Sequence, residues 1–183
     1  MNDEELTRQA EILEPSKRAV IGLLVTSVLD PVLDHLPEPE QGQKARALWS
    51  AAWQAAISQD GARLEKLQAE IEDLDVMLAE DEPEDTTAYE ADFLAALLYA
   101  IGSYRATGTE DLGWCLEQAN DTLDFVVRAG APASLGGPEL DALVSEGIAE
   151  LAIPVSDTQL AVLRDRFVAL RDQYAPAIAA ASL

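Results

Sequence analysis

Residues 87–104 read TAYEADFLAALLYAIGSY and predict the central helix of an all-helical fold. Thr87 and Glu90 have the spacing of a capping box, in which each side chain satisfies a free main-chain N–H at the helix start. The large apolar side chains then recur at intervals of three and four, as Phe93, Leu94, Leu97, Leu98, Ile101 and Tyr104. Alanines fill most positions between them, so apolar groups surround much of the helix, as in helices buried in a core. Gly108 marks its end.

Segments on both sides of this helix show the same helical spacing, whereas the alternation typical of strands is nearly absent. Before the central helix we predict four helices: a short one ended by Pro15, one capped by Ser16 that Pro31 kinks or restarts, one over residues 43–58, and one marked by an apolar stripe from Leu64 to Leu78. After it we predict three more, which begin at Thr109, Pro138 and Ser156. With short connections, this pattern predicts an all-α fold, a compact antiparallel bundle of about seven or eight helices. We expect a single domain over 1–183, a flexible connection at 130–137, and a tail that frays from Ala177.

The composition is that of an ordinary globular chain. Its 183 residues are 49% hydrophobic, enough for one domain with a core. Cys115 is the one cysteine, so no internal disulfide can form, and we expect a reducing, cytoplasmic setting. The acidic residues 1–5 lack the pattern of a signal peptide. The longest charge-free run, residues 47–59, has 13 residues, against the roughly 20 that a membrane-spanning helix needs.

Acidity is the strongest indication of function. The chain has 34 acidic and 12 basic residues, a formal charge of −22. Between Lys66 and Arg105, 38 residues contain 11 carboxylates and no positive side chain. Such a surface repels nucleic acids and anionic membranes and attracts cationic proteins, so we expect a cationic partner. The side chains expected to bind it are Glu70, Glu72, Asp73, Asp75, Glu80, Asp81, Glu82, Glu84 and Asp85.

The residues that usually support catalysis are sparse. His35 is the single histidine and is not part of a Glu-x-x-His metal motif. Cys115 lies on the apolar side of its predicted helix, so it reads as a core residue rather than a nucleophile. Phosphate-binding glycine motifs are absent from the sequence. We therefore expect no enzyme activity, no cofactor and no metal site.

Each tryptophan has two possible roles. Trp49 and Trp53, one helical turn apart, are interpreted as packing residues rather than as a ligand platform. Trp114 lies off the apolar face of its helix. It is either an exposed interface anchor or a ring that covers a neighbouring helix.

The order of elements over residues 12–130 resembles a bacterial all-helical family of unknown function, related to predicted immunity proteins of polymorphic-toxin systems. The resemblance lies in the early helix Arg18–Leu24 before a proline-containing turn, in the Leu48-Trp49 helix followed by an acidic one, and in the paired helices Tyr89–Arg105 and Asp111–Arg128. It implies a cytoplasmic protein that binds and neutralises a toxin.

Two other hypotheses remain open. In the first, the chain is a non-catalytic structural or regulatory protein that self-associates, for example as a homodimer, through an apolar face near Trp114 or the last helix. Its acidity then serves only solubility. In the second, the chain is an enzyme with a carboxylate-bound metal.

Overall fold

The computed structural model describes residues 3–78, 88–105, 107–130 and 137–181. Within these ranges the chain forms nine α-helices, one 3₁₀ helix and no strand, which confirms the all-α prediction. The α-helices are α1 Asp3–Ala10, α2 Pro15–Val28, α3 Pro39–Ile57, α4 Gly61–Glu72, α5 Asp75–Leu78, α6 Ala88–Gly102, α7 Thr109–Gly130, α8 Gly137–Leu151 and α9 Asp157–Ala181. The 3₁₀ helix, Asp30–His35, follows α2. The expected flexible connection at 130–137 falls almost wholly outside the described residues.

The described part of the chain thus has ten helices rather than seven or eight, and two local breaks account for the difference. Pro31 lacks a main-chain N–H, so the chain leaves α2 and continues as a separate 3₁₀ helix. The predicted stripe from Leu64 to Leu78 is divided between α4 and α5, with Asp73 as the C-cap of α4. Acidic side chains at the C-terminus of a helix oppose its dipole, which favours ending α4 there.

Helix starts depend on proline and on capping. α2 begins at Pro15 with Glu14 before it, so Ser16 lies inside the helix and the predicted Ser16 cap is wrong. Proline suits the first helical position because its missing N–H has no partner there anyway. The capping box at the start of α9 is confirmed: the Ser156 N–H donates to Gln159 Oε1 across 2.9 Å. Thr87 of the other predicted capping box lies outside the described residues.

The core is one hydrophobic cluster to which α1–α4 and α6–α9 contribute buried side chains. α6, the predicted central helix, contacts α2, α3, α4 and α7. α2 is equally central, because residues 18–26 are all buried and the helix contacts α3, α6, α7, α8 and α9. The tail does not fray at Ala177: α9 continues past Pro176 to Ala181, with Ala177 and Ile178 buried.

Across the described ranges, every helix is too short or too polar to cross a bilayer.

Candidate partner-binding surface

The described part of the acidic surface predicted from the sequence lies at the C-terminal end of α4 and the start of α5. One side of α4 is buried, through Leu64, Leu67 and Ile71, which fixes its orientation on the core. Asp60 caps its N-terminus by accepting a hydrogen bond from the Arg63 N–H at 3.0 Å. The remaining sides of α4 therefore face solvent in a defined register.

Glu70, Glu72, Asp73 and Asp75 are all exposed. The Gln68 side-chain amide donates to Glu72 across 2.8 Å. Among the described residues, the other three carboxylates have no hydrogen-bond or ion-pair partner. We call these four residues the α4 acidic surface. The other predicted partner-binding residues, Glu80, Asp81, Glu82, Glu84 and Asp85, lie outside the described residues.

The net negative charge of α4 is concentrated in its second half. In the first half, Glu65 lies between Arg63 and Lys66, and all three are exposed. Beyond Lys66 the sequence has 16 acidic side chains and one basic one, Arg105, before Arg128 is reached. Arg105 is engaged locally, with its guanidinium 3.2 Å from both carboxylate oxygens of Asp111. The region from the end of α4 through α7 is therefore strongly negative.

A second acidic surface, not predicted from the sequence, runs along the outside of α7. Its exposed side chains are spaced by three or four positions and thus share one side of the helix. They are Glu110, Trp114, Glu117, Asp121 and Phe125, which we call the α7 stripe. The helical spacing of these residues was available in the sequence. They were missed because the apolar face of α7 and the denser acidic run before it dominated the interpretation.

A pocket of about 220 Å³ opens beside Trp114, lined by Tyr99, Glu117, Gln118 and Asp121. The Trp114 ring is 46% exposed, and its centroid lies 5.7 Å from that of Tyr99 on α6, at an interplanar angle of 56°. Both readings of Trp114 therefore hold in part, because the ring covers a neighbouring helix and still presents a large free surface.

Trp49 and Trp53 pack as the sequence predicted. Their rings stack with centroids 5.5 Å apart, and the Trp49 indole N–H donates to the Leu23 carbonyl of α2 at 2.8 Å. Arg164 of α9 lies over the Trp53 ring, 5.6 Å from its centroid. These contacts tie α3 to α2 and α9.

A pocket of about 110 Å³ beside Trp49 is lined by three arginines, Arg46, Arg164 and Arg171. Each of these cations already has a partner within the protein: Arg46 binds Asp30 and Asp34, Arg171 binds Asp172, and Arg164 covers Trp53. Arg46 therefore links α3 to the 3₁₀ helix, Arg164 links α9 to α3, and Arg171 is paired within α9. We do not assign an anion site to these arginines.

The residues considered for catalysis are poorly placed for it. Cys115 is fully buried, and burial raises the pKa of its thiol to about 12, so almost no thiolate forms near neutral pH. His35 ends the 3₁₀ helix and is half-buried. In the described part of the chain, no group of three or more His, Cys, Asp or Glu side chains is arranged to hold a metal ion.

Comparison with known proteins found no matching family model, no matching curated protein and no matching solved structure.

Proposed function

We propose that this protein is an acidic, non-catalytic binding protein of the cytoplasm that neutralises a basic protein partner, as an immunity protein neutralises a toxin. One observation carries this proposal. The carboxylates of Glu70 on α4, of its C-cap Asp73 and of Asp75 at the start of α5 are exposed and have no partner among the described residues.

The position of Glu70 and Asp73 at the C-terminal end of α4 supports a role in binding. The C-terminus of an α-helix already has partial negative charge, and carboxylates placed there destabilise the helix. A cationic partner would offset that repulsion, so the same groups that weaken α4 strengthen the complex. The negative potential also draws a basic protein towards this surface and can raise its association rate by orders of magnitude.

Kinetic binding measurements test the proposal directly. The first partner to try is the product of the adjacent gene, if that product is basic. The Glu70→Lys/Asp73→Lys variant should associate more slowly than the wild type, with little change in its own melting temperature. The effect should shrink as salt is raised, because the Debye length falls from about 10 Å at 0.1 M to about 3 Å at 1 M.

A matched control separates the α4 acidic surface from net charge. Glu11→Lys/Asp165→Lys changes the net charge by the same amount at two exposed positions far along the chain from α4. We expect this control to slow association less than the α4 variant does. Binding that is independent of salt, or equal slowing by both variants, would contradict a specific role of the α4 acidic surface.

Exposed aromatic side chains favour a second function, self-association with acidity serving solubility. Trp114 is 46% exposed and Phe125 is 63% exposed, both on α7. Exposed aromatic rings are common anchors of protein interfaces. This alternative predicts a salt-stable dimer in sedimentation velocity that Trp114→Ala dissociates, and no capture of a basic protein.

We also propose that the helices form the antiparallel bundle expected from the sequence. α3 and α4 are joined by three residues, α6 and α7 by six, and the members of each pair contact one another. Short connections between contacting helices are typical of antiparallel neighbours.

A further inference from the structure

We propose that the pocket lined by Tyr99, Trp114, Glu117, Gln118 and Asp121 binds an arginine side chain of the basic partner. This inference rests on the proposed function, since it names the group by which such a partner is held. It concerns residues of α6 and α7, none of which belongs to the α4 acidic surface, and can therefore fail or succeed separately.

The aromatic walls of the pocket suit a cation. Trp114 presents nearly half of its surface to solvent, and Tyr99 lies beside it with ring centroids 5.7 Å apart. A cation within about 6 Å of a ring centroid is attracted by the ring's negative face, most strongly by tryptophan. At an interplanar angle of 56° the two rings do not stack face to face, and both line the pocket.

The carboxylates of the pocket also favour a cation. Glu117 and Asp121 are exposed and, within the described residues, have neither a hydrogen-bond nor an ion-pair partner. Asp92, by contrast, is engaged: the Gln118 amide donates to its Oδ1 at 3.0 Å, and the Thr122 hydroxyl lies 3.1 Å from its Oδ2. These bonds fix α6 against α7 and hold Gln118 in place, while two negative charges at the pocket stay uncompensated.

An arginine fits this combination better than other groups do. Its guanidinium is planar, stacks on aromatic rings and donates two parallel hydrogen bonds to a carboxylate, whereas a lysine ammonium is a strongly hydrated point charge. An anion is excluded by Glu117 and Asp121. An apolar side chain would cover both carboxylates and leave them without solvent or a partner, which is unfavourable.

Tryptophan indole N–H signals in a two-dimensional NMR spectrum of the full chain provide the test. The chain has three tryptophans, and Trp114→Phe identifies the signal of Trp114. The probes are a hexaarginine peptide, a hexalysine peptide of the same charge and a neutral glycine–serine hexapeptide. We expect hexaarginine to shift the Trp114 signal and leave those of Trp49 and Trp53 in place. Hexalysine should bind at least about three times more weakly than hexaarginine, and the neutral peptide should not shift the Trp114 signal.

Two double variants separate the pocket from the general negative field. Glu117→Gln/Asp121→Asn should weaken hexaarginine binding, read from the Trp114 signal, by roughly three- to tenfold. The matched control Glu70→Gln/Asp73→Asn removes the same charge from α4. It should change this affinity less than about twofold at about 0.15 M salt, where charges beyond about 8 Å are screened. Both pairs are exposed, and a melting curve verifies that each variant folds.

The outcomes distinguish the two proposals. Three results would overturn the arginine pocket. They are a Trp114 signal that hexaarginine does not shift, equal affinity for hexaarginine and hexalysine, and an equal loss of hexaarginine affinity in the two double variants. Each of these results leaves the salt-dependent role of the α4 acidic surface standing. A Trp114 signal that depends on protein concentration without peptide would assign the pocket to a second copy of the chain and overturn the inference. A Trp114 response to hexaarginine together with an α4 charge reversal that leaves partner association unchanged would support the pocket and reject the α4 acidic surface.

Discussion

The guanidinium of Arg18 donates to the main-chain carbonyl of Arg105 across 2.6 Å, joining the start of α2 to the connection between α6 and α7. The same group donates to the Ser103 carbonyl at 3.1 Å and to the Leu13 carbonyl at 2.9 Å. Arg18 is only 4% exposed, and burial lowers its pKa. One buried cation thus binds three main-chain carbonyl groups in two connections of the chain, one before α2 and one between α6 and α7.

Replacing Arg18 should destabilise the fold strongly. Arg18→Met keeps much of the apolar length of the side chain but leaves three carbonyl oxygens without this donor. Hydrogen bonds from charged donors contribute about 1.5–3 kcal/mol each, partly offset here by the relief of a buried charge. We expect the free energy of unfolding in urea to fall by about 2–4 kcal/mol.

An exposed arginine provides the control for this prediction. Arg8 on α1 pairs with the nearby Glu5 at the surface. Arg8→Met should change the free energy of unfolding by less than about 0.5 kcal/mol. Similar effects of the two substitutions would show that the buried hydrogen bonds of Arg18 contribute little.

The crossing of α2 and α6 depends on Gly22. A Cβ atom at this position would lie 2.8 Å from the Ala100 Cα and 2.9 Å from its Cβ. Gly22→Ala should therefore destabilise the protein, because overpacking of a core costs about 1–3 kcal/mol and exceeds the gain of roughly 1 kcal/mol in helix propensity. Thermal unfolding followed by circular dichroism measures the change.

Gly113 on α7 is the matched comparison, since a Cβ atom there meets no other atom within 4 Å. Gly113→Ala should raise the stability by about 0.5–1 kcal/mol through helix propensity alone. Ala100→Gly added to Gly22→Ala should recover part of the loss by returning space to the crossing. A stabilised Gly22→Ala variant would contradict the close approach of the two helices.

Local sequence signals predicted the helices well where one interaction decides the boundary. The Ser156–Gln159 capping box is such a case, since two side-chain-to-main-chain bonds fix the start of α9. Helix boundaries that depend on a balance between two opposing interactions were not predicted. At Pro15 the favoured proline position displaced the expected Ser16 cap. Past Glu72 the unfavourable carboxylates outweighed a regular apolar stripe, a balance that periodicity alone does not measure.

The two candidate surfaces also differ in how far they could be predicted from the sequence. A dense run of charge is visible in sequence, so the exposed carboxylates of α4 could be predicted. The pocket beside Trp114 could not, because Tyr99 and Asp121 are brought together only when α6 packs on α7. The bonds from Gln118 and Thr122 to Asp92 that hold this packing join residues 26 and 30 positions apart, beyond the reach of helical spacing.

Cys115 reports on the opening of the core. Its side chain is fully buried, and its Sγ lies 3.5 Å from the Gly22 carbonyl oxygen of α2, to which it donates. With a pKa of about 12, the thiol should not react with a thiol-specific reagent in the native protein at pH 8 and should react fully in urea. The reaction should be faster in the Gly22→Ala variant, because both residues belong to the same part of the core. Rapid labelling of the native wild type would contradict this packing.

Glu90 of α6 is a buried carboxyl group, 6% exposed. Its pKa is raised from the usual 4.5, first because burial disfavours the charged form and further because of the nearby charge of Glu38, while Lys44 opposes the shift. A raised pKa in the folded state means that folding favours the protonated form. The contribution of Glu90 to stability is therefore lost as the pH rises from the unfolded-state pKa through the raised folded-state pKa.

Glu90→Gln should remove this pH dependence, because glutamine is neutral at every pH and has almost the same shape. The free energy of unfolding of the variant should exceed that of the wild type at pH 8, and the difference should narrow as the pH is lowered to 5. Urea unfolding of both proteins at matched pH values measures it, and the common effect of the other carboxylates cancels in the comparison. Asp165→Asn, the same acid-to-amide change at an exposed position, provides the matched control. If Glu90→Gln instead proves less stable than the wild type at pH 8, the attraction between Glu90 and Lys44 outweighs the burial of the charge.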